Sequence, residues 1–259
     1  MKRKRKVRLK KKVQKKLWSK AQKEPLHFAL IDPDKTSWRD IYNTAKLLEN
    51  AGTDAILVGG STGVTETKLD KLIKELKRNV SIPIILFPGN INGISKYADA
   101  ILFMSLLNSD DPYFIIGAQM LGAPIILEYG LEPIPTAYII VGYGGAAGYV
   151  GKARPIPFEK PEIGVAYALA AAMLGMKFIY FEAGSGSPKP VPPILIETTR
   201  RILGDEVFII VGGGIRTPEK ALELVKAGAN AIVTGTILEE DVEKSLEIIK
   251  ALKRTRVED

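Results

Sequence analysis

Along the chain, short continuous apolar runs alternate with stretches whose apolar positions recur at helical spacing. The runs are HFALI (27–31), DAILVGG (54–60), IPIILFPG (82–89), AILFMSLL (100–107), AYIIV (137–141), KFIYFEAG (177–184), VFIIVGGG (207–214) and NAIVTGT (230–236). Runs rich in Val, Ile and Leu without polar alternation predict strands covered on both faces, as in a parallel sheet. Between them, residues 37–50, 65–78, 110–121, 161–174, 193–203, 217–227 and 239–252 read as helices. AGTDAILVGG (51–60) and AGANAIVTGT (227–236) repeat one unit: a helix-ending glycine, a short turn and an apolar strand that ends in small residues. No linker divides residues 25–253. The pattern therefore predicts an α/β protein with a single (β/α)8 TIM barrel over residues 25–259, preceded by an arm of residues 1–24. A doubly wound open sheet is the alternative.

Composition changes this picture in three places. The chain has 259 residues, 46% hydrophobic and 25% charged, which excludes disorder of the whole and suits one barrel. Cysteine is absent, which excludes disulfides, thiolate metal sites and a cysteine nucleophile and accords with a reducing cytoplasm. His27 is the one histidine, so a multi-histidine zinc site is excluded and Ser-His-Asp chemistry would rest on this imidazole alone. The longest uncharged stretch, residues 133–151, contains Pro133, Pro135 and five glycines, so it reads as a strand and a loop and not as a membrane span.

The net charge of +8 is local. Of 37 Lys and Arg, 13 lie in residues 1–23 without an acid, and the remaining 24 face 29 acids, a net of −5. If the arm is helical, Leu9, Val13 and Leu17 with Trp18 make a narrow apolar stripe on a basic cylinder. Three readings stand open: a stripe that docks on the body, attraction to anionic lipid headgroups, or nucleic-acid contact, which the acidic body disfavours. The protein is expected in the cytoplasm, with peripheral membrane contact through the arm and no nucleic-acid partner.

In a barrel the residues just after each strand form the active face. There the chain places Glu182-Ala183-Gly184-Ser185-Gly186 after strand 6, Gly212-Gly213-Gly214-Ile215-Arg216-Thr217-Pro218 after strand 7 and Gly235-Thr236 after strand 8. Glycines let backbone N–H groups approach an anion, and Thr217-Pro218 is an N-cap and N1 pair opening a helix, so these loops predict a phosphate site. On strand 6, Tyr180 and Glu182 share one parity and should face the barrel axis. Glu182 is then a candidate general base, against the alternative of a structural acid. Asp32-Pro33-Asp34-Lys35 after strand 1 and Gly59-Gly60-Ser61 after strand 2 offer hard oxygen ligands suited to Mg²⁺, although Asp32 or Asp34 could equally cap the next helix.

These residues carry a family likeness. LIDPDK (30–35), ILVGGST (56–62), ILFPGN (85–90), LFMSLLNS (102–109), YFEAGSG (180–186), IIVGGGIR (209–216) and VTGT (233–236) resemble, in order, the archaeal geranylgeranylglyceryl phosphate synthases. The resemblance implies a TIM barrel that uses Mg²⁺ to join sn-glycerol 1-phosphate to geranylgeranyl diphosphate, the first ether-bond step of archaeal membrane lipid synthesis. It also implies that Asp32 and Ser61 hold the metal and that Glu182 takes the proton of the attacking hydroxyl. The glycerol phosphate site would comprise Tyr180, Phe181, Glu182, Ala183, Gly184, Ser185, Gly186, Gly213, Gly214, Gly235 and Thr236. FPGN and LLNS resemble the branch that forms larger homo-oligomers, often hexamers. Val141-Gly142-Tyr143 departs from the family, many members of which have an acidic residue there. Phe87, Phe103, Met104 and Tyr129 are candidates for an isoprenoid groove, each with a core or interface reading beside it. Other readings are the same chemistry on another prenyl length, a sugar-phosphate isomerase or lyase, and a noncatalytic membrane- or nucleic-acid-binding protein.

Overall fold

Each of the eight apolar runs forms a strand, because a run without polar alternation can bury both faces only between a filled barrel interior and an outer layer of helices. The computed structural model describes residues 9–33, 38–59 and 65–255, with the backbone alone at 38–41. Strands β1 (Leu26–Ile31), β2 (Ala55–Gly59), β3 (Ile84–Phe87), β4 (Ala100–Leu106), β5 (Glu132–Ile140), β6 (Phe178–Glu182), β7 (Phe208–Gly212) and β8 (Ala231–Thr234) pair in parallel in chain order, and β8 closes onto β1. The helices are α1 (Lys12–Ala21), α2 (Trp38–Ala51), α3 (Glu66–Asn79), α4 (Ala118–Tyr129), α5 (Gly145–Val150), α6 (Pro161–Met173), α7 (Pro193–Leu203), α8 (Pro218–Lys226), α9 (Thr236–Glu240) and α10 (Val242–Arg254). The expected (β/α)8 barrel is present. Among the described residues no helix is long and apolar enough to cross a membrane.

The glycine-rich loop expected after β5 contains the short helix α5, and the helix expected at 239–252 is broken at Asp241 into α9 and α10. Two further elements differ from expectation. Strand β5 starts at Glu132 and not at Ala137, although Pro133 and Pro135 lack an N–H. The ladder to β6 begins only at Thr136, so both prolines lie where β5 has no neighbour on that side, and the Pro133 carbonyl instead accepts from Gln14 Nε2 at 3.2 Å. The helix expected at 110–121 becomes a π-helical turn, Tyr113–Gly117, followed by α4, which runs through exposed Pro124 to a left-handed Gly130 (φ +61°).

The barrel interior is filled by aromatic layers. Low down, Phe178 stacks on Phe208 (4.8 Å between ring centroids), with Phe28 6.5 Å from Phe208. Above them Phe87, Tyr138 and Tyr180 meet at 5.2–5.8 Å. The floor is closed by α1. Val13, Leu17 and Ala21 are buried, and Trp18 meets Phe178 and Phe208 at 5.6 and 5.8 Å, so the stripe docks under the barrel, while Leu9 stays 55% exposed. Buried Glu132, the first residue of β5, accepts from the backbone amides of Val13 and Gln14, each at 2.8 Å. A carboxylate from 119 residues away thus caps the first turn of α1 and opposes its dipole.

Candidate active site

Parity along β6 comes out as the alternation predicts. Phe178 and Tyr180 pack in the barrel interior, whereas Ile179, Phe181 and Ala183 pack in the outer layer. Glu182 continues the inward series and is 6% exposed at the mouth. Its Oε1 accepts from the Gly184 amide at 2.7 Å. Burial pushes the Glu182 carboxyl above the usual carboxylate range, and the nearby Tyr180 hydroxyl and the Gly184 amide recover only part of the rise. The Tyr180 hydroxyl is fully buried and makes no hydrogen bond among the described residues. Burial, then the Glu182 charge, holds this phenol well above its ordinary range, so it stays a neutral donor.

The glycines after β6 and β7 are shaped around that carboxylate. A Cβ on Gly212 would come within 2.5 Å of Tyr180 Oη and 2.8 Å of Glu182 Oε2, and one on Gly213 (φ +81°) within 2.5 Å of Glu182 Oε1. At Gly184 (φ +100°) it would meet the backbone of Gly144 at 2.4 Å. No side chain fits between these loops, and only glycine adopts such φ values without strain.

Three loops converge here. Ser185 Oγ and Thr236 Oγ1 lie 3.0 Å apart, and the Gly186 amide donates to Thr236 Oγ1 at 3.3 Å, which ties the loop after β6 to the start of α9. Gly235 precedes Thr236, the first residue of α9, and at the end of β7 Gly213 lies against Glu182 and the Gly184 amide while Gly214 lies against Lys189. Backbone amides and two hydroxyls on one rim suit a phosphate. The start of α8 serves less well than its Thr217-Pro218 pair suggested. Thr217 Oγ1 accepts from the Lys220 amide at 3.4 Å, and Glu219 in the first turn is held below the usual carboxylate range by hydrogen bonds to the Thr217 side chain and its own amide. The protein fills that helix end with its own groups.

Of the eleven residues matched to a glycerol phosphate site, Tyr180, Glu182, Gly184, Ser185, Gly186, Gly213, Gly214, Gly235 and Thr236 gather at this end of the barrel. Phe181 and Ala183 do not turn toward it, because their parity sends both side chains into the outer core. The Ala183 amide donates to Gly212 O at 3.0 Å and its carbonyl accepts from Gly144 N at 2.8 Å, so Ala183 joins loops and does not reach the mouth.

Asp32 follows β1 on the same face and is half-buried. Ser61 and Asp34 lie outside the described residues. Phe87 and Met104 pack with the barrel interior, whereas Phe103 packs outside and Tyr129 donates to Glu66 Oε1 at 2.9 Å. His27 is fully buried, its ring nitrogens 2.9 Å from Thr53 Oγ1 and Thr234 Oγ1. Burial, aided by Lys253, lowers its pKa to about 3, so it is a neutral structural group and supplies no triad.

Sequence reasoning missed two supports. Asn108 donates to the carbonyls of Ile140 (2.8 Å) and Arg154 (2.9 Å) and accepts from Ile140 N at 3.0 Å, pinning the loops after β4 and β5. An asparagine within the LLNS motif was its only signal. Tyr138 is buried against Tyr180, and the weak strand around it hid its inward parity.

Comparison with known proteins gives this geometry a family. The model of the PcrB family matches residues 18–253. The geranylgeranylglyceryl phosphate synthase of Aeropyrum pernix is 52% identical over 92% of this chain and 95% of its own length, and that of Pyrococcus furiosus is 53% identical over 92% and 96%. Among solved structures, (S)-3-O-geranylgeranylglyceryl phosphate synthase from Thermoplasma acidophilum, in complex with its substrate sn-glycerol-1-phosphate, superimposes with a TM-score of 0.89 at 39% identity, covering 94% of this chain and 99% of that one. With a matching barrel, the motifs in order and a family model spanning nearly the whole chain, the protein belongs to the PcrB family, the geranylgeranylglyceryl phosphate synthases that its motifs resemble.

Proposed function

We propose that the protein joins sn-glycerol 1-phosphate to geranylgeranyl diphosphate, giving geranylgeranylglyceryl phosphate and diphosphate. The observation that carries this reading is Glu182: a buried carboxylate of raised pKa, walled by glycines and set beside an amide- and hydroxyl-lined rim. The rim formed by Gly213, Gly214, Ser185, Gly235 and Thr236 holds the phosphate. That contact turns the C3 hydroxyl of glycerol phosphate toward Glu182. The hydroxyl oxygen bonds to C1 of the prenyl chain as the bond from C1 to the diphosphate breaks, and Glu182 accepts the proton. Tyr180, kept neutral and fully buried, stands beside the Glu182 carboxylate as a donor.

Mg²⁺ fits this reading, because such an ion takes one or two protein oxygens and completes its shell with water and substrate phosphates. Asp32, half-buried after β1, together with Ser61 would hold it. When bound it neutralises the departing diphosphate. Phe87 and Met104 give the barrel side of an apolar groove for the prenyl chain. A homo-oligomer, up to a hexamer, is supported by α4, where Ile116 just before it, Met120, Leu121 and Leu127 are 46–63% exposed. A peripheral membrane contact through the basic arm belongs to the same reading.

The test is turnover of radiolabelled sn-glycerol 1-phosphate with prenyl diphosphates of several lengths, with and without Mg²⁺, scoring organic-soluble product. Product that peaks with the geranylgeranyl chain and needs Mg²⁺ supports the proposal. No product with any prenyl diphosphate refutes it.

A further inference from the structure

In a βα barrel the helices run down from the mouth, so their last turns make the floor. There the chain gathers cations: Lys77 and Arg78 end α3, Arg200 and Arg201 end α7, and Lys253 and Arg254 end α10. The mouth rim has the opposite sign, with Glu66, Glu162, Glu219 and Glu243 in the first turns of α3, α6, α8 and α10. Each set complements its helix dipoles, but on the floor Lys77 pairs with Asp99, Arg78 with Glu75, Arg200 with Asp205 and Lys253 with Asp54 and Glu24, so the basic character of this end rests mainly on what α1 adds. The floor helix α1 strengthens the basic end. Its apolar stripe is turned inward, so Lys12, Lys15, Lys16 and Lys23 beside it are exposed. Residues 1–8 add six Lys or Arg and no acid.

The same face carries two large apolar side chains that nothing covers among the described residues. Met173 and Leu174, 85% and 70% exposed, stand on the turn from α6 into β6, followed by exposed Lys177. Phe178, next in sequence, is the residue against which Trp18 of α1 packs, so this turn and the α1 lysines share the floor. Single exposed apolar residues are ordinary on a protein surface. Two adjacent ones at such exposure, next to Lys177 and on the same floor as the α1 lysines, form the amphipathic pattern of a headgroup-level membrane contact. The nearby acids Glu206 and Asp205 are met by Lys177 and Arg200, each pair at 3.6 Å.

We propose that the floor of the barrel docks on an anionic lipid bilayer, with Met173 and Leu174 entering the headgroup layer and the α1 lysines meeting the headgroups, so that the mouth opens away from the membrane. This rests on the membrane contact inferred for the arm and is independent of the chemistry at the mouth.

The absence of cysteine makes the orientation measurable. Single cysteines are introduced as Met173→Cys on the floor and Tyr149→Cys on the mouth side, where Tyr149 is 88% exposed. Each carries an environment-sensitive dye and is mixed with vesicles of phosphatidylcholine, with or without phosphatidylglycerol. The expected result is a blue shift at position 173 only with phosphatidylglycerol, reversed by high salt, and none at 149. The double variant Met173→Asp with Leu174→Asp should bind these vesicles at least tenfold more weakly and keep wild-type turnover of soluble substrates. A shift at 149 without one at 173 overturns the orientation alone. A dye at 173 that is already blue-shifted without vesicles assigns the turn to a second copy of the chain and overturns the proposal. Wild-type protein that fails to bind the anionic vesicles removes the membrane reading of the arm as well.

Discussion

Replacing Glu182 by Gln separates proton transfer from binding. The carboxylate Oε1 accepts the Gly184 amide at 2.7 Å and Oε2 faces Tyr180 and Gly212. Gln can keep its carbonyl on the Gly184 amide, so the rim around Gly213 and Thr236 should hold its shape. What it loses is the capacity to take a proton. General-base assistance is worth about 10²- to 10⁴-fold, or roughly 3–5 kcal/mol of barrier. We expect kcat to fall by at least about 10²-fold, with glycerol phosphate affinity changed much less. Two further readings follow from the raised pKa. In the wild type, activity should fall as acid protonates Glu182, starting above the usual carboxylate range, and that limb should vanish from the residual activity of the variant. A carboxyl whose pKa is raised on folding stabilises the fold while protonated and loses that contribution as pH rises through its folded value. Near neutral pH the Gln variant should therefore melt at or above the wild-type temperature. The assays are initial rates against both substrates, direct glycerol phosphate binding and thermal melts, compared with Gly214→Val, whose new side chain would press on Lys189 O, 2.3 Å from its Cβ. Normal turnover by Glu182→Gln, or a loss of binding as severe as that of Gly214→Val, would refute the base and make Glu182 a ligand or a structural acid.

Asp32→Asn should remove most activity and the response to Mg²⁺ titration; unchanged rates and Mg²⁺ dependence would shift the role to Asp34. Gly213→Ala should lower kcat, since φ +81° costs a non-glycine residue about 1–2 kcal/mol and the new methyl must displace Glu182 Oε1. Kinetics and melts together would show whether the carboxylate moved or the fold merely weakened. His27 is buried neutral with a pKa of about 3 against 6.5, which at about 1.4 kcal/mol per pH unit is worth about 5 kcal/mol, lost progressively as pH falls from about 6.5 toward 3. In His27→Gln, denaturant melts should flatten across that window, and an unchanged acid slope would assign it elsewhere. Glu132→Ala should cost about 1–3 kcal/mol and loosen α1 so that trypsin cuts at its already exposed lysines faster, with turnover retained by the folded fraction; unaltered digestion would show that the cap does not hold the helix. Deleting residues 1–20 should destabilise the barrel, since it uncovers Phe178 and Phe208, and an unchanged melting temperature would argue against the docked helix.

The barrel was legible because its buried strands are near-continuous apolar runs, and the inward set at Tyr180 and Glu182 followed from the two-residue period of β6. Other features were hidden for physical reasons. The start of β5 was concealed by two prolines, whose missing donors cost nothing where the neighbouring ladder has not begun. Glu132 reads as an ordinary acid, because its partners are backbone amides more than a hundred residues away. Phe181 and Ala183 share a motif with Glu182 yet serve the outer core, since a motif records which residues occur together and not which way each one faces. The filled end of α8 depended on Glu219, an exposed acid with nothing local to mark its reach to Thr217.

The floor helix also orders events during synthesis. Helix α1 is translated before every strand of the barrel, but its seat is built from Glu132, Phe178 and Phe208. At about 5–20 residues per second, the roughly 190 residues between Ala21 and Phe208 take about 10–40 seconds to emerge. For that time the nascent chain displays an amphipathic segment with nowhere to dock, open to any chaperone that grips apolar stripes. Its lysines give it charge repulsion against neighbouring nascent chains while it waits. A circular permutant that places residues 9–24 after residue 255 would release the helix to a finished seat, and its yield of refolded against aggregated protein would show how much that delay costs the natural order.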